Sequence, residues 1–256
     1  MAFVPDIGRC AACGVFFRSR RPTQAAIQSS YDTGVQYESW ELERAPREQS
    51  WRRRLALVQR WRAGGRLLDV GTGNGDFLDA AARGGFHGVG TELSRTAAEL
   101  AAAKGHQVHV GQFTELELPR AAFDVVTLWH VLEHVPDPGR VLQQVYAVLK
   151  PGGIFAVAVP NEENDLVWRR LGRRAGTPPF GAQQFGGEVH LTHFQPATFK
   201  AALRRAGFAL EAFGVDNVYL RTTARNRAVL KMQQALSRIT GWHFSMAMYA
   251  IGSKPS

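Results

Sequence analysis

The chain has 256 residues, of which 45% are hydrophobic and 21% charged, and its formal net charge is +9. A chain of this length buries a substantial core and forms one or two domains, and we predict one main domain. Its longest apolar runs, such as residues 154–159, fall far short of the roughly 20 residues that a membrane-spanning helix needs. The N-terminus has no basic segment followed by an apolar stretch. We therefore expect a soluble cytoplasmic protein.

The first conspicuous pattern along the chain is Cys10-Ala11-Ala12-Cys13-Gly14. Two thiolates at this spacing suit zinc, but a closed structural site takes four ligands, and the chain has no other cysteine. We therefore predict no metal site here, and two reduced cysteines without a function are the simpler interpretation.

Residues 38–61 combine many charges with apolar residues at a mostly helical spacing, which is broken near Pro46. This pattern predicts amphipathic helices that pack an apolar face on the following sheet. The aromatic residues of this segment, Trp40, Trp51 and Trp61, could instead line a substrate cavity.

The stretch from Leu67 to Leu78 is an apolar strand that runs into a glycine turn and then opens a helix. The strand ends at Asp69 and Val70, the glycines allow a tight turn with bare backbone, and Asp76 begins an apolar-periodic helix. The free N–H groups at the start of that helix face the same place. The pattern predicts a site for a nucleotide-like cofactor.

A second acidic residue, Glu92, follows the strand-like run 88–91 and stands 21 residues after Gly71. In a βαβ unit of this kind, a carboxylate about 20 residues on accepts hydrogen bonds from ribose hydroxyls. These features fit a dinucleotide dehydrogenase and a methyltransferase alike. A dinucleotide site has its third glycine where this chain has Asp76, and an acid there disfavours a phosphate but tolerates a cationic sulfonium.

Several stretches together resemble the class I S-adenosylmethionine-dependent methyltransferases, over about residues 25–256. The glycine turn resembles motif I of that family, and residues 123–138 resemble its fourth strand and the following loop. After a helical pattern in residues 141–149, the run Leu149-Lys150-Pro151-Gly152-Gly153 resembles the family's turn into the fifth strand. The run His190-Leu191-Thr192-His193-Phe194-Gln195-Pro196 resembles a signature of a subfamily that acts on small molecules, lipids or sugars.

The resemblance implies an α/β fold with a Rossmann-like, seven-stranded, mostly parallel sheet and helices on both faces. Residues 208–218 and 245–251 should form the last two strands, an antiparallel pair at the sheet edge, so that the last strand is antiparallel. A helix over residues 197–206 and a basic helical stretch over residues 223–239 should accompany them, and residues 161–195 form a lid or substrate insertion after strand five.

We divide the chain at residue 24. The segment from Arg9 to Tyr31 resembles the second half of an N-terminal zinc ribbon found in some small-molecule and sugar methyltransferases, without that ribbon's upstream cysteine pair. Residues 1–24 are therefore interpreted as a remnant of such a ribbon, and residues 25–256 as the methyltransferase domain.

The family's motifs also imply the contacts with S-adenosylmethionine. The glycine turn and the acid before it should surround the methionine part, Glu92 should face solvent and bind the ribose hydroxyls, and the residues after strands two and three should border the adenine. Gln112 stands where the family more often has an acid, and Phe113 could instead belong to the core. The implied cofactor-binding residues are Asp69, Gly71, Gly73, Gly75, Glu92, Leu93, Gln112, Phe113 and His130.

Four histidines are candidate catalytic residues, because the pKa of histidine suits a base near neutral pH. His130 and His134 follow strand four at the edge where open α/β sheets bind ligands, and His130 should lie near the sulfonium. His190 and His193 belong to the predicted lid. Each of the four could equally cap a helix or bond to backbone.

The positive charge is concentrated after residue 160, with 13 Lys and Arg against 6 Asp and Glu. It fits an anionic or membrane-linked substrate, although an arginine-rich solvated surface explains it equally. Signatures of nucleic-acid methyltransferases are missing: residues 129–132 are Trp-His-Val-Leu instead of an Asn- or Asp-Pro-Pro-aromatic run, and no cysteine lies near the motifs. Glu133 also lacks the partner glutamate of arginine methyltransferases.

The sequence predicts transfer of a methyl group from S-adenosylmethionine to a small molecule, with a hydroxyl oxygen the favoured acceptor. One alternative substrate is a nucleotide-linked sugar or a lipid-linked glycan. Another class of function is a noncatalytic S-adenosylmethionine-binding or interaction protein, and a nicotinamide dehydrogenase is a more distant third. The oligomeric state stays open.

Overall fold

A computed structural model describes residues 6–32, 44–164, 166, 190–216, 224–240 and 245–256. Most of the predicted lid, residues 161–195, lies outside the described residues, including its arginines at positions 169, 170, 173 and 174. Of the described helices, none is both long and apolar enough to cross a membrane.

The described elements alternate between strands and helices through most of the chain. The strands are β1 (Ile7–Arg9), β2 (Phe16–Arg18), β3 (Gly65–Val70), β4 (Phe86–Glu92), β5 (Gln107–Val110), β6 (Phe123–Trp129), β7 (Leu149–Pro160), β8 (Thr192–His193), β9 (Ala209–Val215) and β10 (Ala247–Ser253). The helices are α1 (Gln24–Asp32), α2 (Arg44–Gln59), α3 (Asp76–Arg83), α4 (Arg95–Ala103), α5 (Pro138–Val148), α6 (Pro196–Arg205) and α7 (Ala224–Thr240), with a short 3-10 helix at Phe113–Glu115.

The main sheet has seven strands in the order β5-β4-β3-β6-β7-β10-β9. Strands β5, β4, β3, β6 and β7 are parallel, while β10 runs antiparallel to both β7 and β9. This arrangement confirms the predicted seven-stranded, mostly parallel sheet with an antiparallel last strand. It also confirms that the last two strands pair at one edge.

Helices cover both faces of the sheet because the central strands alternate between two apolar clusters. Along β7, Phe155 and Val157 enter one cluster, whereas Ala156 and Ala158 enter the other. Helices α5 and α6 contribute to the first cluster, and helices α2 and α3 to the second. Strands buried on both faces read as continuous apolar runs, which is how residues 154–159 appear in the sequence.

Helix α2 begins at Arg44 and continues to Gln59 without a break. The predicted interruption near Pro46 is therefore wrong for the described residues, since this proline lies in the first turn of the helix. A proline is tolerated there because the first N–H groups of a helix have no intrahelical acceptor.

A second, three-stranded sheet joins the N-terminus to the segment after the predicted lid. Strands β1 and β2 form an antiparallel hairpin, and β2 pairs with β8 so that Phe16 lies opposite His193. Cys10 and Cys13 lie in the hairpin's turn, and neither forms a disulfide. The domain boundary at residue 24 stays a prediction, but the hairpin is hydrogen-bonded to the histidine-containing segment.

Truncating Phe199 should weaken the contact between α6 and the sheet. Its side chain is fully buried, with ring centroids 5.6 Å from Phe194 and 6.4 Å from Phe213. We expect Phe199→Ala to lower the free energy of unfolding in urea by about 3–5 kcal/mol, because it leaves a cavity in the core. The exposed Arg204→Ala on the same helix is the control, and equal losses in the two variants would contradict this packing.

Candidate active site

The candidate site lies at the C-terminal ends of the parallel strands. From β3 the chain builds the sheet in one direction through β4 and β5, and it then returns to build the other side from β6. Open α/β sheets bind ligands at this point, where the order of the strands reverses. The ends of β3, β4 and β6 carry most of the predicted site residues.

The glycine turn after β3 has the backbone conformation that its composition predicts. Gly71, Gly73 and Gly75 have φ angles of 71°, 57° and 80°, which residues other than glycine rarely adopt. A Cβ on Gly71 would lie 2.5 Å from Val131 Cγ2, so the turn packs directly against the loop after β6. The Gly71 and Thr72 N–H groups donate to the Thr91 carbonyl, at 2.8 and 3.0 Å.

Glu92 is buried and holds the glycine turn from the neighbouring strand. Its Oε2 accepts from the Gly73 N–H at 2.7 Å, and its Oε1 accepts from the N–H groups of Leu93 and Ser94 at 2.7 and 2.9 Å. Burial raises the pKa of Glu92 above its usual value, although these backbone donors oppose the rise. The expectation that Glu92 faces solvent is wrong, because only 8% of the residue is exposed. Its contact with ribose stays a prediction.

Asp69 ends β3 as a fully buried carboxyl group. Its Oδ1 accepts a hydrogen bond of 2.6 Å from the Thr127 hydroxyl on the neighbouring strand. Burial raises the pKa of Asp69 to about 7, even though this bond stabilises the charged form. A half-protonated acid at neutral pH beside the glycine turn is suited to binding a cationic group, which would complete its ionisation.

Asp76, which replaces the third glycine of a dinucleotide site, is paired with cations of the protein. Lys104 Nζ lies 2.7 Å from its Oδ1, and Arg47 Nε lies 3.4 Å from its Oδ2. Burial alone would raise the pKa of Asp76, but the hydrogen bond and charge of Lys104 lower it below its usual value. A carboxylate therefore occupies the helix N-terminus, where a dinucleotide pyrophosphate would bind.

The predicted adenine neighbours lie in different surroundings. Leu93 is half-buried at the end of β4, next to the Glu92 carboxylate. The Gln112 side chain donates to the Thr114 hydroxyl at 3.0 Å, and Phe113 is buried in the core cluster that α5 and α6 also line. The core interpretation of Phe113 is thus confirmed, and the contacts of all three residues with adenine stay predictions.

His130 follows β6 directly and is held between two carboxylates. Its backbone has a φ of 57°, uncommon for a residue other than glycine and often found at functional sites. Its Nε2 lies 3.0 Å from Asp216 Oδ2, and its Nδ1 lies 3.4 Å from Glu133 Oε1. Burial would lower the pKa of His130, but the bonds to Asp216 and Glu133 outweigh burial and raise it. The site thus favours the protonated imidazole, which is unsuited to act as a base.

Asp216 and Arg54 belong to the site although no sequence motif pointed to them. Arg54 Nη2 lies 2.6 Å from Asp216 Oδ2, and both side chains are buried. The guanidinium stacks between Trp51 and Trp129, at 4.7 and 4.8 Å from their ring centroids. Burial would raise the pKa of Asp216, but the charge of Arg54 and the contact with His130 lower it to about 2. Asp216 therefore stays ionised and orients His130.

The other three histidines form a cluster with two buried glutamates. His134 Nε2 lies 3.7 Å from Glu133 Oε1, and its ring packs edge-on against that of His190 with centroids 4.8 Å apart. His190 and His193 both approach Glu162 Oε1 through Nδ1, at 3.7 and 3.2 Å. The four predicted histidines, which come from two distant segments, therefore lie in one continuous cluster.

Helix α1 closes one side of the cofactor region. The Ser94 hydroxyl donates to the Tyr31 carbonyl at 3.1 Å, and the Arg95 N–H donates to Asp32 Oδ1 at 3.0 Å. The Tyr31 ring also packs edge-on against His134, with centroids 6.4 Å apart. The end of this helix thus touches both the β4 end and the histidine cluster.

Comparisons with known proteins agree with this geometry. Residues 42–212 match the model of a family described as a methyltransferase domain. A ubiquinone biosynthesis O-methyltransferase from Bradyrhizobium sp. (strain ORS 278) is 40% identical over 104 residues, which cover 39% of this chain and 41% of that protein. The chain thus spans about two fifths of the length of this curated relative.

Two solved structures share the fold. An S-adenosylmethionine-dependent methyltransferase from Thermotoga maritima has a TM-score of 0.61 and 19% identity, covering 89% of this chain and 99% of its own. One from Mesorhizobium loti has a TM-score of 0.52 and 20% identity, covering 75% of this chain and 92% of its own. At these identities the likeness concerns the fold alone.

The pKa of Asp69 predicts an unusual dependence of stability on pH. Because the pKa of Asp69 in the folded protein is about 7 and lies above the ordinary value of 3.8, folding favours the protonated acid, and stability falls as pH rises between these values. We expect Asp69→Asn to raise the free energy of unfolding more at pH 8 than at pH 5, by roughly 2.7 kcal/mol, because about two pH units lie between pH 5 and the folded pKa. Urea titrations at both pH values measure this.

The control for Asp69→Asn is Asp137→Asn, at an exposed position that caps α5 by accepting from the Arg140 N–H. Asparagine serves equally well as such a cap. If Asp69→Asn stabilises the protein no more at pH 8 than at pH 5, Asp69 is not the raised acid described above.

Replacing Asp216 should change the titration of His130. Asp216→Asn keeps the shape but removes the charge that favours the imidazolium, so the pKa of His130 should fall, as measured from its ring proton and carbon shifts by NMR. Arg54 also loses its buried counter-ion, and we expect a loss of about 3–5 kcal/mol in unfolding free energy. Glu211→Gln, at an exposed position of β9, is the matched control. An unaltered His130 titration would show that Asp216 does not set its charge.

Proposed function

Because this chain belongs to the methyltransferase-domain family, we propose that it transfers the methyl group of S-adenosylmethionine to a hydroxyl oxygen of a small molecule. The family match confirms the predicted class I methyltransferase and its cofactor. The observation that supports the proposed transfer to a hydroxyl is the contact between the glycine turn and the loop after β6. Through this contact the cofactor motif lies beside the histidine cluster.

The residues of the cofactor motif fit S-adenosylmethionine chemically. Asp69 offers a buried carboxyl group for the ammonium of the methionine part, and Glu92 offers carboxylate oxygens next to bare backbone for the ribose. Asp76 leaves no room for a pyrophosphate at the helix N-terminus, which speaks against a dinucleotide. When bound, the cofactor supplies an electrophilic methyl carbon attached to a cationic sulfur.

The histidine cluster supports oxygen as the acceptor. Methylating a hydroxyl requires removal of its proton, and a nearby imidazole performs this well. The two carboxylates raise the pKa of His130, and His193 is 1% exposed, so His134 and His190 are the better candidates for the base. Each of them keeps a partly exposed side chain, at 10% and 12%. The O-methyltransferase name of the relative described above points the same way.

The alternative acceptors, a nucleotide-linked sugar or a lipid-linked glycan, stay predictions. The arginines at positions 169–174 that favour an anionic substrate lie outside the described residues. A noncatalytic binding protein is the alternative from another class, and the experiment below separates it from an enzyme.

Glu92→Ala tests the cofactor site. The variant removes the carboxylate proposed to bind the ribose and to hold Gly73, so we expect the affinity for S-adenosylmethionine and S-adenosylhomocysteine to fall at least tenfold. Hydrogen bonds to charged groups of this kind contribute about 1.5–3 kcal/mol. Isothermal calorimetry measures the affinity, at a temperature where circular dichroism shows the variant to be folded. Glu117→Ala, at an exposed position, is the control, and full affinity in Glu92→Ala would remove the ribose assignment.

A panel of acceptors tests the reaction. The purified chain is incubated with S-adenosylmethionine and matched phenols, alcohols and amines, and mass spectrometry detects the added methyl group. We expect methylated hydroxyl compounds and no methylated amines. Tight cofactor binding without turnover of any acceptor would instead support the noncatalytic alternative.

A further inference from the structure

Three side chains with metal-binding atoms meet beside His134, whose ring centroid lies 4.8 Å from that of His190. Glu162 follows β7, His190 precedes β8, and His193 is the last residue of β8. Glu162 Oε1 lies 3.2 Å from His193 Nδ1 and 3.7 Å from His190 Nδ1, and each residue offers a ligand atom within 4.8 Å of the others. The group thus combines two imidazoles with one carboxylate around a single small space.

Backbone hydrogen bonds hold this group in place independently of its side chains. The Glu162 N–H donates to the Phe194 carbonyl at 3.0 Å. The Leu191 and Thr192 N–H groups both donate to the Glu133 carbonyl, at 2.8 and 3.0 Å. The β2 end adds a third connection, because the Arg18 N–H donates to the Leu191 carbonyl at 2.9 Å. The ligand atoms are therefore preorganised by three separate segments.

The spacing of the ligand atoms suits a transition-metal ion. Zinc lies about 2.0–2.2 Å from nitrogen and oxygen ligands, so two ligands of a tetrahedral ion are roughly 3.3–3.5 Å apart. The observed separations of 3.2 and 3.7 Å bracket that value. Imidazole ligands favour zinc, cobalt, nickel or iron over magnesium and calcium, which take oxygen ligands.

The surroundings carry negative charge that a cation would balance. Glu162 and Glu133 are 2% and 1% exposed. Glu133 Oε1 lies 3.4 Å from His130 Nδ1 and 3.7 Å from His134 Nε2, so this carboxylate belongs to the same cluster. Buried carboxylates are costly unless positive charge accompanies them.

We propose that Glu162, His190 and His193 bind one divalent transition-metal ion of the zinc type. Three protein ligands leave a fourth position open, as in catalytic zinc sites. A prediction from cysteine pairs could not find this site, because its ligands are histidines and a glutamate. If the proposed function is right, the open position would take the acceptor oxygen and favour its ionisation. The binding of the ion itself does not depend on that function.

Metal binding is tested on the full chain with Cys10 and Cys13 replaced by serine, so that thiolates do not contribute. The protein is freed of metal with a chelator, dialysed and titrated with Zn²⁺ or Co²⁺. We expect one ion per chain by elemental mass spectrometry, and a Co²⁺ absorption spectrum typical of nitrogen and oxygen ligands. The absence of stoichiometric binding would overturn the proposal.

Variants then identify the ligands. We expect Glu162→Gln and His193→Ala each to weaken Zn²⁺ binding at least tenfold, whereas His87→Ala, at an exposed position, leaves it unchanged. His134→Ala is the decisive comparison, because Glu133, His134 and His190 form an overlapping group. If His134→Ala abolishes binding and Glu162→Gln does not, the ion lies on that other group and the proposal is wrong.

Two further measurements keep the outcome clear. If His193→Ala does not fold by circular dichroism, Glu162→Asp must shift the Co²⁺ absorption bands of the folded chain, and unshifted bands would reject Glu162 as a ligand. Calorimetry with S-adenosylhomocysteine on the metal-free chain tests the cofactor site separately. Retained cofactor binding without metal binding would defeat this inference alone and leave the proposed function standing.

Discussion

A buried row of alternating charges, Arg54–Asp216–His130–Glu133, ties the candidate site to the rest of the fold. Its members come from α2, the end of β9, the end of β6 and the loop after it. Each charge faces one of opposite sign, with separations of 2.6, 3.0 and 3.4 Å. Removing any one leaves a neighbour buried without compensation, which costs several kcal/mol. The edge strand β9 and the helix α2 are thereby fixed relative to the end of β6.

This row of charges also explains why the histidines have different proposed roles. His130 is held between two carboxylates and serves to position the site, whereas His134 and His190 lie farther along the cluster. The cofactor side shows a similar division between structure and binding. Glu92 accepts from three backbone N–H groups, of which that of Gly73 belongs to the glycine turn, so ribose hydroxyls would have to share or replace these bonds.

Sequence analysis predicted the features that local spacing determines. The strand, glycine turn and helix from Leu67 onward form as expected, because their glycine conformations and apolar periodicity are properties of neighbouring residues. The antiparallel end of the sheet was predicted from family resemblance. The helix interruption predicted near Pro46 was wrong, because the position of a proline within a helix decides whether it breaks the helix. Arg54, Asp216 and Glu162 were missed, since each gains its role from a partner far away in the chain. Asp216, for instance, stands 86 positions after His130.

The pairing of β2 with β8 has a consequence for how the protein is made. Phe16 lies opposite His193, which is 177 positions later in the chain, so this sheet cannot close until residue 193 has been synthesised. Contacts of such long sequence separation form late and slowly. The β1–β2 hairpin therefore keeps one edge unpaired until residue 193 has been synthesised, and the histidine cluster cannot be assembled before that point.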